Sequence, residues 1–170
     1  VFPHAPAIPV TINQGYVMPA WYDILEMSLE RKIDTAQIEQ SARAIGELIA
    51  REAERGVSPE HIVIAGFSQG GAVAYQTALS YDKPLAGLLT LSTYLATKDS
   101  LTLSEANKNL NIAIHHGTQD PVVPVQLGQE AKAWLESKGY QPQFYSYPMA
   151  HQVCMPQLKI IGKWLNDVLA

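Results

Sequence analysis

Ser68 stands at the centre of Gly66-Phe67-Ser68-Gln69-Gly70, and a serine so placed can act as a nucleophile once a base takes its proton. The pentapeptide follows an apolar run over 61–65 and opens into a small-residue helical pattern over 71–79, which predicts a strand, a sharp turn and a helix. Glycines two residues before and two after the serine suit such a turn, because side chains there would collide with the neighbouring strand and helix. Ser68 then projects its hydroxyl from the top of a sheet. The N–H of Gln69, at the helix start, points to where an oxyanion would form and is helped by the positive end of the helix dipole. The competing reading is a glycine-rich turn that only packs tightly or cradles a phosphate. The partners of Ser68 decide between the two.

A serine hydroxyl needs a histidine to accept its proton and a carboxylate to fix that histidine's tautomer. On a strand-turn-helix nucleophile the chain order is serine, acid, histidine. Of the five histidines, His4 and His61 precede Ser68, which leaves His115, His116 and His151. Only His151 follows a carboxylate while sitting in a loop beyond a strand end, after Tyr147-Pro148-Met149-Ala150. Asp82, Asp99 and Asp120 lie between. Asp120 is preferred because Gly117-Thr118-Gln119-Asp120-Pro121 turns just after the strand at 112–116, carrying its carboxylate to the sheet's carboxyl edge. Asp99 is the runner-up, and Asp82 falls on the opposite edge. His115 and His116 are neighbours in a strand and point to opposite faces, so a structural role is favoured over a metal site.

The elements that must position these residues are legible as patterns. Strands are predicted over 62–65, 85–91, 112–116 and 143–147, mostly as continuous apolar runs, with helices between most of them, the mark of a buried parallel sheet. Asp34 with Gln37 forms a capping-box pattern, and Ile38, Ala42, Ile45 and Ile49 recur at helical spacing, predicting a helix over 35–55 that Gly56 stops. Pro124 opens a helix with Leu127, Ala131, Trp134 and Leu135 on one face. Pro156 starts a last one with Leu158, Ile161, Leu165 and Val168 inward. Val1 and Phe2 read as the tail of a strand, 7–30 as an irregular segment bordering a site, and 93–109 as an elaborated loop. The predicted architecture is a three-layer α/β sandwich.

The 170 residues, 47% apolar and 16% charged, fit one domain with a real core. The formal net charge of −4, with 12 unclustered Lys and Arg, argues against a nucleic-acid or anionic-membrane surface and favours a small-molecule substrate. The single cysteine, Cys154, cannot form an internal disulfide and is expected to be a small buried apolar residue; no Cys/His spacing suggests zinc, and no metal is expected. A reducing, cytoplasmic location is expected, with no membrane span and no signal peptide. The sequence begins without Met, at Val1-Phe2-Pro3, as a processed or incomplete product would.

Taken together, Met18-Pro19-Ala20-Trp21-Tyr22-Asp23, Ala65-Gly66-Phe67-Ser68-Gln69-Gly70-Gly71-Ala72, Leu91-Ser92-Thr93-Tyr94, His116-Gly117-Thr118-Gln119-Asp120-Pro121-Val122-Val123 and Tyr147-Pro148-Met149-Ala150-His151 resemble the carboxylesterase and acyl-protein thioesterase family of α/β-hydrolases, especially the small bacterial carboxylesterases. The resemblance spans nearly the whole chain. It implies hydrolysis of carboxylic esters or thioesters with short to medium acyl chains, no cofactor, and catalytic roles for Ser68, Asp120 and His151. It departs in one place: family members begin about fifty residues earlier, with a strand and a His-Gly-x-Gly type loop that supplies a second oxyanion N–H. Residues 1–170 are thus expected to form a single α/β-hydrolase domain, amino-terminally incomplete and lacking its first strands, with two inner strand edges left unpaired. The favoured explanation is an amino-terminal piece outside this sequence. Exchange of a strand with another copy and repacking with loss of activity are the alternatives.

The expected function is a serine esterase, with Gln69 in the oxyanion hole and Trp21 either walling the substrate pocket or packing in the core. Acyl-protein thioesterase or lysophospholipase activity is one alternative. The other is a non-catalytic binding or assembly module, a homodimer covering the exposed strand edges.

Overall fold

The computed structural model describes residues 1–26 and 32–170. Four parallel strands form the central sheet in the order β3-β4-β5-β6: β3 (Val63–Phe67), β4 (Gly87–Leu91), β5 (Asn111–Gly117) and β6 (Gln143–Tyr147). Helices α1 (Thr35–Glu54), α2 (Gln69–Ser80), α3 (Val125–Ser137) and α4 (Met155–Leu169) complete the sandwich.

The period-two alternation of a strand assigns the layers. Leu88, Ile112 and Ile114 bury against Ala74, Tyr75 and Leu79 of α2 and Ala131 and Leu135 of α3. The intervening Leu89 and Ala113 face the other way, onto Ile161 and Trp164 of α4. Gly87 makes room on that side: a Cβ there would sit 2.7 Å from the Trp164 indole. The inward stripe of α4 is Gln157, Ile161 and Trp164, with Leu165 and Val168 packed beside it, whereas Leu158, expected inside, is 45% exposed. Gln157 takes the inward position in the first turn, which leaves its neighbour Leu158 facing out.

Asp34 caps α1 by accepting from Gln37 N–H at 3.0 Å. The reciprocal half of the expected capping box is replaced: Gln37 Oε1 accepts from Asp23 N–H at 2.7 Å, so the side chain ties α1 to the preceding segment. Cys154 is half-buried at the N-cap of α4 rather than a core residue; its side chain accepts from the N3 backbone, and Gln157 Oε1 accepts from Cys154 N–H at 3.2 Å.

The amino-terminal region differs from expectation. Val1 and Phe2 belong to no strand and are 80% and 97% exposed. The supposedly irregular segment contains an antiparallel hairpin, β1 (Ala7–Val10) and β2 (Tyr16–Pro19), turned through Gln14 and Gly15 at φ 57° and 76°. Residues 27–30 of that expectation fall outside the described residues. The hairpin is a separate two-stranded sheet, where Pro9 and Pro19 are tolerated as they would not be in a central strand. Among the described residues no strand pairs with the outer edge of β3.

The two histidines of β5 do face opposite ways. His115 stacks on Tyr145, lies parallel to the Tyr147 ring and shares a hydrogen bond between its Nδ1 and the Tyr147 hydroxyl at 2.9 Å, with Nε2 buried and without a partner among the described residues. Burial pushes its pKa down to about 4. Because the folded value lies below the unfolded 6.5, the unfolded chain binds the extra proton between them; stability from neutral His115 is full above pH 6.5 and is lost as pH falls toward 4. We expect a loss on the order of 2–3 kcal/mol over that window. Urea unfolding at stepped pH should show it, and His115→Phe, which keeps an aromatic ring and cannot titrate, should flatten the slope.

Candidate active site

Three strand ends converge at the carboxyl edge of the sheet. Ser68 follows β3, Asp120 lies three residues past β5, and His151 lies four past β6. Ser68 adopts φ 53° and ψ −122°, a conformation that costs a non-glycine residue on the order of 1–3 kcal/mol and persists only when its surroundings hold it. They do so at both ends of the residue. Ser68 N–H donates to Leu91 O of the neighbouring strand at 3.0 Å, while its carbonyl accepts from Gly71 N–H at 2.9 Å and from the Thr93 hydroxyl at 2.6 Å.

The glycines act differently from expectation. A Cβ on Gly66 would lie 2.1 Å from Gly70 O, so the first glycine is required by the return of the backbone over it. Gly70 is less constrained, since its Cβ would meet nothing closer than Trp21 Nε1 at 3.7 Å. The second tight position is Gly71, where a Cβ would fall 2.4 Å from Thr93 Cγ2. Gly66→Ala should therefore cost at least about 3 kcal/mol of stability in urea unfolding, while Gly70→Ala should cost less than about 1 kcal/mol.

Gln69 is the first residue of α2, and its N–H is one of the helix donors that have no intrahelical acceptor. It lies next to the Ser68 hydroxyl at the positive end of the helix, where an acyl oxyanion would form. Its side chain has a second task that the sequence did not suggest. Oε1 accepts from Trp21 N–H at 3.1 Å and Nε2 donates to Tyr22 O at 3.0 Å, so the amide clamps the Trp21 segment to the turn. Ser41 Oγ completes the clamp by donating to Trp21 O at 2.6 Å. Trp21 is half-buried beside Gly70 and borders an apolar cavity of about 640 Å³. That cavity runs along β3 from His61 to Phe67, between α1 and α2, as the groove beside an unpaired strand edge; only its Trp21, Phe67 and Gly70 end adjoins Ser68.

The predicted acid and base, Asp120 and His151, are joined directly. His151 Nδ1–H donates to Asp120 Oδ2 at 2.7 Å, a tautomer assigned from that acceptor. The other oxygen, Oδ1, accepts from Val122 N–H at 2.9 Å and Val123 N–H at 2.8 Å. Burial pushes the Asp120 carboxyl up, but the bonds from Val123, His151 and Val122 outweigh it and hold the group below the usual carboxylate range. Its side chain is fully buried, while that of His151 is 18% exposed, so the imidazole is the exchangeable member of the pair. Phe67 lies with its ring centroid 4.7 Å from that of His151, placing the imidazole beside the turn that carries Ser68. No hydrogen bond joins Ser68 to His151 among the described residues; nucleophile–base contacts of this kind commonly tighten only when substrate binds. The rejected carboxylates, Asp82 and Asp99, are exposed and do not bond to His151.

The roles of Thr93 and of the Gln69 side-chain amide do not follow from the sequence. Thr93 lies in Leu91-Ser92-Thr93-Tyr94, which follows β4, and its contact with Ser68 spans 25 residues. Nothing in the local pattern signals it. Among the described residues no group of three or more His, Cys, Asp or Glu side chains could hold a metal ion, and no helix is long and apolar enough to cross a membrane.

Over almost its whole length the chain is similar to known proteins. Acyl-protein thioesterase 1 of Neurospora crassa is 38% identical over 179 residues, covering 99% of this chain and 73% of that protein. The crystal structure of SOBER1 from Arabidopsis thaliana superposes with a TM-score of 0.92 at 32% identity, covering 100% of this chain and 83% of the other. Acyl-protein thioesterase 2 of Zea mays does so with a TM-score of 0.86 at 25% identity, covering 99% and 80%. The phospholipase/carboxylesterase family model matches residues 1–169. The chain that sets Ser68, Asp120 and His151 past three strand ends on one edge of its sheet is an α/β-hydrolase belonging to the phospholipase/carboxylesterase family, a family of esterases and thioesterases.

Proposed function

We propose that this protein cleaves carboxylic esters of short to medium acyl chains by acyl transfer through Ser68. The observation that carries the reading is the 2.7 Å bond from His151 to the buried Asp120, formed beside the strained turn that presents the serine. His151 Nε2 takes the Ser68 proton as Oγ attacks the carbonyl carbon, and the oxyanion forms against the Gln69 N–H. His151 then gives its proton to the leaving alcohol, leaving an acyl-enzyme. Water attacks that ester with His151 again as base, and the free acid departs with Ser68 regenerated. Asp120 stays ionised throughout, holding the tautomer and stabilising the imidazolium.

A second reading is supported by the relatives from Neurospora crassa and Zea mays, which are acyl-protein thioesterases. The acyl-enzyme is the same and the leaving group is a thiol. Hydrolysis of matched C4 to C16 acyl esters and thioesters by the purified protein separates the two. The ester reading requires kcat/KM for the ester to equal or exceed that for the thioester and to peak at C10 or below. A larger value for a long-chain S-acyl peptide selects the thioesterase reading, and hydrolysis of neither contradicts both.

A further inference from the structure

We propose that His116 is a positioning residue for the acid, holding the 120–123 loop so that Asp120 presents Oδ2 to His151. The inference rests on the assignment of Asp120 and His151 as acid and base. His116 is fully buried, and its Nε2 lies 2.8 Å from Val123 O. A carbonyl can only accept, so the proton is on Nε2 and the ring donates. Val123 is the same residue whose N–H holds Asp120 Oδ1. One peptide is thereby gripped on its carbonyl by His116 while its neighbour's amide side orients the carboxylate.

The opposite edge of the ring shows why a second proton on His116 is disfavoured. Nδ1 is buried and has no hydrogen-bond partner. It rests against α3 at Gly128, where a Cβ would come within 2.5 Å of it. A proton there would meet helix backbone with no acceptor among the described residues, which is costly for a charged group. The titratable groups that face the ring are Asp120, whose Oδ2 is 3.8 Å from Nε2, and His151. Burial pushes the His116 pKa down; the Val123 carbonyl and Asp120 oppose that, His151 adds to it, and the net shift is downward. Two imidazoles thus flank one carboxylate, and only His151 is placed to become its cationic partner. His116 supplies a neutral donor that fixes the loop without competing for the charge of Asp120.

Three measurements test this. Long-range imidazole 15N NMR on the whole chain should find His116 as the Nε2–H tautomer with a titration midpoint below the ordinary 6.5. The Nδ1–H tautomer, or a midpoint at or above 6.5, overturns the proposal. His116→Leu should lower kcat about ten- to a hundredfold with KM changed less than about threefold, and should move the downfield proton resonance of the His151–Asp120 bond. His116→Gln, whose amide can still donate to Val123 O, should recover most of that kcat. Wild-type kcat in the Leu variant, or an equal loss in the Gln variant, overturns it, as does an unmoved downfield resonance. If the Leu variant does not fold, the tautomer and the Gln variant decide. Fluorophosphonate labelling of the unaltered protein separates the two failures: a wild-type serine that does not react refutes the acid–base assignment itself, whereas a labelled wild type with an indifferent His116→Leu refutes only the role of His116.

Discussion

Ser68→Ala is expected to lower kcat by about 10⁶-fold and to abolish acyl-enzyme formation, with the fold unchanged. The size follows from the mechanism, since removing the nucleophile removes the covalent intermediate and leaves only binding and the Gln69 N–H. The fold should survive because the turn is held by the Ser68 backbone: its N–H on Leu91 O and its carbonyl on Thr93 and Gly71 are untouched by the substitution. A steady-state ester assay with a burst-phase experiment checks the first part, and thermal unfolding the second. Activity equal to wild type would remove Ser68 from the mechanism.

Asp120→Asn carries the next largest effect, a fall in kcat of about 10⁴-fold with little change in KM. Asn can keep its carbonyl oxygen on Val122 and Val123 N–H, where Oδ1 accepts now. That leaves the amide NH₂ facing His151 Nδ1, at the position from which Oδ2 accepts at present. Two donors cannot face each other, so His151 turns to its other tautomer, with the proton on Nε2 and no lone pair for the Ser68 proton. The change also has a signature in stability. The folded carboxyl lies below its unfolded value, so its contribution is present above the unfolded pKa of about 3.9 and is lost as pH falls through the folded value. Wild type should lose stability below about pH 4 from this source, and Asp120→Asn should not. Steady-state kinetics at neutral pH and urea unfolding from pH 5 to 2.5 check the two halves.

Much of the candidate site's placement was legible because its residues stand where one element ends and the next begins. Ser68, Asp120 and His151 each stand just past a strand; chain order left Asp82, Asp99 and Asp120 as acids, and position at the carboxyl edge of the sheet chose Asp120. The four parallel strands and four helices were legible for the same reason, a strong period meeting glycine or proline at its ends. What escaped depends on contacts between segments far apart in sequence. The need for glycine at 71 comes from Thr93, and the relaxed state of Gly70 could not be told from the required state of Gly66 by motif. Gln37 kept its place after Asp34 but spent its side chain on Asp23, a choice set by where the preceding segment runs. The β1–β2 hairpin was masked by Pro9 and Pro19, which argue against a buried strand and are harmless in an isolated two-stranded ribbon. Leu158 matched the helical stripe and still faces out, because the stripe was inferred without knowing where α4 meets the sheet.

The central claim is that Ser68 is an activated nucleophile in this chain. The most direct test is the intact mass of the purified protein before and after incubation with a fluorophosphonate, followed by peptide mapping. The account predicts the addition of one phosphonyl group per chain, located on Ser68 and absent from Ser68→Ala. An unlabelled protein, or a label on any other residue, would contradict it.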